Sequence, residues 1–121
     1  MNELQKRIFD ASLELSVATD RVANAIGHIH NQSLITEQRQ TESARERAKY
    51  VAAGIEGKNA EERQANLTLL TQETDNKLRN AQLELDGVKY EHSIAVLRHQ
   101  EARYILKASI AIAEARDEET R

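Results

Sequence analysis

The chain has 121 residues with no proline, no cysteine and no tryptophan, 3% aromatic and 31% charged side chains, and a formal net charge of −3. It has room for one domain but few of the large side chains that fill a globular core, and its abundance of Ala, Glu, Leu, Arg and Gln is the composition of long helices or coiled coil. Disulfides, thiolate metal sites and thiol catalysis are excluded, and the proline and glycine punctuation of an α+β chain is absent.

An all-α fold is therefore expected. No run approaches the eighteen or so apolar residues of a membrane span, and Met1-Asn2-Glu3-Leu4-Gln5-Lys6-Arg7 lacks the apolar stretch of a signal peptide, so a cytoplasmic protein without a membrane partner is expected. Residues 1–53 carry seven basic and seven acidic groups and residues 54–121 carry ten and thirteen. Neither half is the basic domain that gripping duplex DNA calls for.

From the start, apolar residues fall at Leu4, Ile8, Ala11, Leu15, Ala18, Val22, Ala25 and Ile29, in alternating steps of four and three. This is the rhythm of a coiled-coil seam. Phe9, Leu13 and Ile26 widen the stripe, so the helix has more than one neighbour to contact. Beyond Ile29 the seam thins through His30-Asn31-Gln32-Ser33, where a kink or fraying is expected, and residues 36–49 offer only Ala44 and Ala48. The pairs Glu42 with Arg45 and Glu46 with Lys49 support the helix there.

Gly54 and Gly57, two of only four glycines, lie near the midpoint of a sequence that otherwise reads as helix. They mark the hinge of a hairpin. Gly54 fits a left-handed cap, and Asn59 followed by Glu62 forms a capping box for the next helix. The expected layout is a single domain over 1–121: a first helix over about 3–53, a turn over about 54–58, a second helix over about 59–115, and a charged tail over 116–121 that frays.

In the second helix the rhythm resumes at Leu67, Leu70, Thr74, Leu78, Ala81, Leu85, Val88, His92, Ala95, His99, Ala102, Leu106, Ser109 and Ala113. A second row, Leu83, Tyr90, Ile94, Leu97, Tyr104, Ala108 and Ala111, lies beside the first. Folding back at 54–57 pairs positions whose numbers sum to about 112, which sets Leu15 near Leu97, Val22 near Tyr90 and Ile8 near Tyr104.

A two-helix hairpin alone covers each stripe on one side, and small scaffolds without disulfide or metal usually need oligomerisation. A homodimer or higher assembly is therefore expected, forming a four-helix bundle through Leu4, Ile8, Leu15, Val22, Ile29, Leu85, Tyr90, Ile94, Leu97 and Tyr104.

No catalytic grouping emerges, since the carboxylates are scattered and the histidines lie on long helices, and no cofactor is expected. Gly57-Lys58-Asn59 is not a phosphate-binding P-loop, because Ala52 and Asn59 stand where that motif needs Gly and Ser or Thr. His92 and His99, seven apart, share a helix face, whereas His28 and His30 do not. Without a Glu-x-x-His element, a metal-binding bundle remains an alternative, and polar seam positions that fix register are the plainer reading. Buried and neutral, they would loosen an assembly on protonation near about pH 6. Arg39, Arg45, Arg47, Lys49 and Lys58 cluster around the hinge and offer a contact for single-stranded nucleic acid, or simply a solvated face.

The run Gly57-Lys58-Asn59-Ala60-Glu61-Glu62-Arg63 followed by a helix resembles a turn in small uncharacterised helical proteins of bacteriophages and prophages. Some of these are encoded near recombination or single-strand annealing functions. The resemblance covers less than a quarter of the chain and implies a phage-borne accessory protein without assigning residue roles. The sequence thus reads as a non-enzymatic, self-associating scaffold with an unidentified protein partner, or as an accessory of phage DNA recombination or replication.

Overall fold

The computed structural model describes residues 2–120. Among them it contains three α-helices and no strand: α1 (Glu3–Ala53), α2 (Ala60–Leu70) and α3 (Gln72–Thr120). The long α1 packs against α3.

A reciprocal pair of side-chain bonds opens α1. The Asn2 Oδ1 accepts from the Gln5 N–H at 2.8 Å, and the Gln5 Oε1 accepts from the Asn2 N–H at 3.1 Å. With no proline to interrupt it, α1 runs unbroken to Ala53. The kink or fraying expected near 30–33 leaves no break in α1, and Gln32 of that stretch bonds across the helix pair. Gln32 Nε2 donates to the Ala81 carbonyl at 3.2 Å, while the Thr36 hydroxyl bonds back within α1 to the Gln32 carbonyl at 2.9 Å and lies 3.4 Å from that of Ala81. Gly54 ends the helix with φ +90, its N–H donating to the Val51 carbonyl at 3.2 Å. Left-handed backbone of this kind is open to glycine at little steric cost.

The second helix expected over 59–115 is instead two, divided at Thr71, and the last of them continues to Thr120 through the charged segment expected to fray. Thr71 has φ −99 and ψ 7, and helical bonds persist on either side: its N–H donates to the Leu67 carbonyl at 3.0 Å, and the Asp75 N–H donates to the Thr71 carbonyl at 2.9 Å. Its hydroxyl lies 2.9 Å from the Leu67 carbonyl and 3.0 Å from Asp75 Oδ2 and shares its one proton between them.

Contacts group the chain into two compact units, Met1–His28 with Lys89–Arg121 and Ile29–Val88. In the first unit the buried positions are Ala11, Ala18, Ala25, Ala95 and Ala102. The remaining apolar seam residues, Leu4, Ile8, Leu15, Val22 and Leu106, are half-buried around them. Small side chains let two helix backbones approach closely, but each buries only about one methyl, roughly 0.8 kcal/mol, against about 1.5–3 kcal/mol for a Leu or Ile. The core of this unit is tight and thin. In the second unit Leu67, Ala81, Ser43 and Thr71 are buried.

The seam steps of four and three hold along both long helices, with two changes: Thr71 occupies the seam where Leu70 was expected, Leu70 being exposed, and over residues 36–49 Thr36, Arg39 and Ser43 face inward while Ala44 and Ala48 are exposed. Near the connection, bonded positions add up to 118–122, as in Ser43 with Asp75, Gly57 with Arg63 and Glu56 with Asn66, not to about 112. The connection is responsible. Residues 56 and 57 run alongside α2, where Asn66 Nδ2 donates to the Glu56 carbonyl at 2.7 Å and Arg63 Nη1 to that of Gly57 at 3.3 Å. The chain therefore reverses at Lys58 and Asn59, beyond the two glycines. In the first unit Leu15, Val22 and Ile8 are half-buried in the seam while Leu97, Tyr90 and Tyr104 are exposed, so the pairings expected between them do not form.

Candidate functional site

The ten residues expected to form an interface separate into two groups. Leu4, Ile8, Leu15, Val22, Ile29 and Leu85 are half-buried seam residues within the chain's own helix pairs. Tyr90, Leu97 and Tyr104 are 68%, 64% and 78% exposed. Ile94, half-buried, edges a groove with Ala25, His28 and Arg98.

The second row of α3 is not beside the seam but across the helix from it. At about 100° per residue, positions 90, 94, 97, 101, 104 and 108 fall within about 40° of one line, roughly 160° from the seam positions 92, 95, 99, 102 and 106. The helix that seats α1 on one side thus presents Tyr90, Leu97 and Tyr104 on the other. In a two-helix arrangement that outer line is ordinarily the most polar one.

The basic residues around the hinge do not act as one patch. Arg47 Nη2 pairs with Asp75 Oδ2 at 2.9 Å, and Arg39 Nη1 pairs with Glu42 Oε2 at 3.0 Å. Glu42 is thereby taken by Arg39, not by the Arg45 expected to hold it. Arg45 and Lys49 are exposed, one turn apart on one face, and Lys58 is exposed in the connection. Two of the five cations are half-buried and neutralised by carboxylates.

At the start of α2 the capping arrangement is present. The Asn59 Oδ1 accepts from the Glu62 N–H at 2.8 Å, and Glu62 Oε2 accepts from the Lys58 N–H at 2.8 Å. The Glu62 carboxylate sits where an anion would bind a helix N-terminus, so the turn already contains its own anion. Gly57 has φ +152, and a Cβ there would lie 2.7 Å from the Arg63 backbone nitrogen. The connection tolerates only glycine at this point.

His92 and His99 are half-buried in the seam of the first unit, one heptad apart, while His28 and His30 are exposed. Among the described residues no three potential His, Asp or Glu ligands come together.

The most connected polar group is one that sequence reasoning missed. Asp75 receives Ser43 Oγ at 2.8 Å on one oxygen, and Arg47 Nη2 at 2.9 Å and Thr71 Oγ1 at 3.0 Å on the other. Thr71 is fully buried and Ser43 is 6% exposed. The Ser43 hydrogen bond, with those of Thr71 and the Arg47 charge, holds the Asp75 carboxyl below its ordinary range against the opposing effect of burial. A signal existed in the sequence: Thr71 stands four residues after Leu67 and three before Thr74, on the seam's own rhythm. The cluster has the makeup of a register lock between α1 and the α2–α3 junction, with every polar partner satisfied.

No protein-family model, curated protein or solved structure matches this chain. No helix is long and apolar enough to cross a membrane among the described residues.

Proposed function

We propose that the protein is a non-enzymatic, self-associating helical scaffold or interaction module of the cytoplasm, joined to its own copies through the first unit. The observation that carries this reading is the heptad line of Tyr90, Leu97 and Tyr104, exposed on the side of α3 opposite α1. Three large apolar side chains repeated at that interval on an outer helix face make a second seam lacking a partner.

The exposed area supports it. A folded monomer of 13.7 kDa exposes about 6,600 Å² by the usual scaling of surface with mass, whereas this chain exposes 9294 Å². The surplus of about 2,700 Å² exceeds the roughly 600–1,000 Å² that one partner contributes to a standard interface. Joining two copies brings four helices into one assembly and covers side chains that a thin alanine core leaves open.

Sedimentation equilibrium tests the reading. A mass of two or more chains at micromolar concentration is expected, with association lost on dilution together with helicity. A stable, fully helical monomer of 13.7 kDa at all concentrations overturns it.

A further inference from the structure

We infer that two copies join antiparallel through the outer faces of their α3 helices, with Glu91 of each copy paired to Arg98 of the other. The inference rests on the self-association reading and specifies its surface, direction and register.

The outer line of α3 within the first unit carries a heptad rhythm of its own. Tyr90, Ile94, Leu97, Glu101, Tyr104 and Ala108 alternate in steps of four and three, as the inner seam does. Treated as a seam in its own right, this line has Glu91, Arg98 and Ile105 along one edge and Ser93, Gln100 and Lys107 along the other. All six edge residues are exposed. Among the described residues neither Glu91 nor Arg98 has an ion-pair partner, although both border the same groove.

Edge charges select direction and register in paired helices, because like charges held opposite each other oppose association and unlike charges favour it. When the two α3 helices run antiparallel with Ile94 of one copy beside Leu97 of the other, Glu91 faces Arg98 on both sides of the two-fold axis. Ser93 then faces Gln100, and the Tyr90 ring covers the aliphatic stem of Glu101 of the second copy. Sliding by one heptad in one direction sets Arg98 against Arg98, and sliding in the other sets Glu91 against Glu91. A parallel pairing puts Arg98 beside Ser93 and leaves Glu91 without a basic partner. Only one alignment places Ile94 on Leu97 with both charges matched. In it each α1 stays on the far side of its own α3, so the four helices of the joined first units form a row and do not surround a common core.

The absence of cysteine from the sequence makes a direct test available. Ile94→Cys and Leu97→Cys are made separately, and full-length proteins are oxidised alone and as an equimolar mixture after subunit exchange. A disulfide requires Cα atoms closer than about 7 Å. The mixture is expected to cross-link several-fold more than either variant alone. Equal cross-linking of each variant by itself, or none in any sample, overturns the proposed pairing.

Charge reversal supplies a second readout that does not depend on thiols. Glu91→Arg and Arg98→Glu should each weaken dimerisation about tenfold, since each places like charges together twice, and the double variant should recover most of that loss. Single reversals without effect on the dimer constant count against the register. A wild-type chain that sediments as a monomer removes the self-association reading and this inference together. A wild-type dimer without the cross-linking preference removes only the α3 pairing.

Discussion

Ser43 on α1 and Asp75 on α3 meet across the helix pair of the second unit, the hydroxyl donating to the carboxylate at 2.8 Å while Arg47 and Thr71 hold the other oxygen. Where the buried apolar residues are mostly alanine, this cluster ties particular residues of α1 to particular residues at the start of α3. An apolar seam of small side chains tolerates sliding by a heptad, whereas a buried hydroxyl and a carboxylate do not.

Replacing Asp75 by Asn should lower stability by about 1 kcal/mol at neutral pH, since charge-assisted bonds from Ser43 and Arg47 are weakened. Chemical denaturation followed by circular dichroism reads this. A double-mutant cycle of Ser43→Ala with Asp75→Asn should give a coupling energy of about 1 kcal/mol, whereas independent effects would show that the bond contributes nothing.

Acid should erase that difference. The folded-state pKa of Asp75 lies below its ordinary value of 3.8, so the unfolded chain takes up a proton first as pH falls. The stability linked to Asp75 is fully present above that value and is lost as pH drops through the lower, folded-state pKa. Melting curves of the parent and Asp75→Asn proteins should therefore be well separated at neutral pH and converge as the pH is lowered below the ordinary carboxylate value of 3.8. Parallel curves throughout that range would show that Asp75 is not held in its charged form.

Gly57→Ala should destabilise the connection by about 1–3 kcal/mol, because φ is +152 and the new Cβ would lie 2.7 Å from the Arg63 nitrogen. Gly27→Ala should do the reverse. Gly27 lies in the interior of α1 with nothing within 4 Å of a Cβ, and alanine there should stabilise by about 0.5–1 kcal/mol. Thermal melts of the two variants distinguish an obligatory glycine from a dispensable one.

Asn59→Ala removes the side chain that accepts from the Glu62 N–H, and should cost about 1 kcal/mol. Amide exchange should accelerate mainly over the first turns of α2, leaving α3 protected. Uniform acceleration along the whole chain would mean that the connection and the long helices open as one unit.

Single-stranded oligonucleotides provide the test of the phage-accessory alternative. With Arg39 and Arg47 neutralised by Glu42 and Asp75, the exposed Arg45, Lys49 and Lys58 are a small electrostatic footprint. No salt-sensitive shift is expected at low ionic strength. A shift abolished by neutralising Arg45 and Lys49 would favour nucleic-acid binding over the scaffold reading.

The helical fold, the ends of α1, the capped turn at Asn59 and most seam positions outside residues 36–49 were legible from residue order alone. These features depend on neighbours within a few positions: the spacing of apolar side chains, the lack of proline, the φ freedom of Gly54 and the reach of Asn59 to the next turn. Tertiary packing decided the rest. The register followed from the connection running beside α2 before it reversed, which displaced α3 by about one heptad against α1. Thr71 took the seam place because its hydroxyl found both the Leu67 carbonyl and Asp75, and Leu70 has no hydroxyl to bring there. Periodicity located Tyr90, Leu97 and Tyr104 on a stripe, but a stripe has no inside or outside until another helix covers one face. Once α1 settled on the alanine side, those three residues were left on the outside.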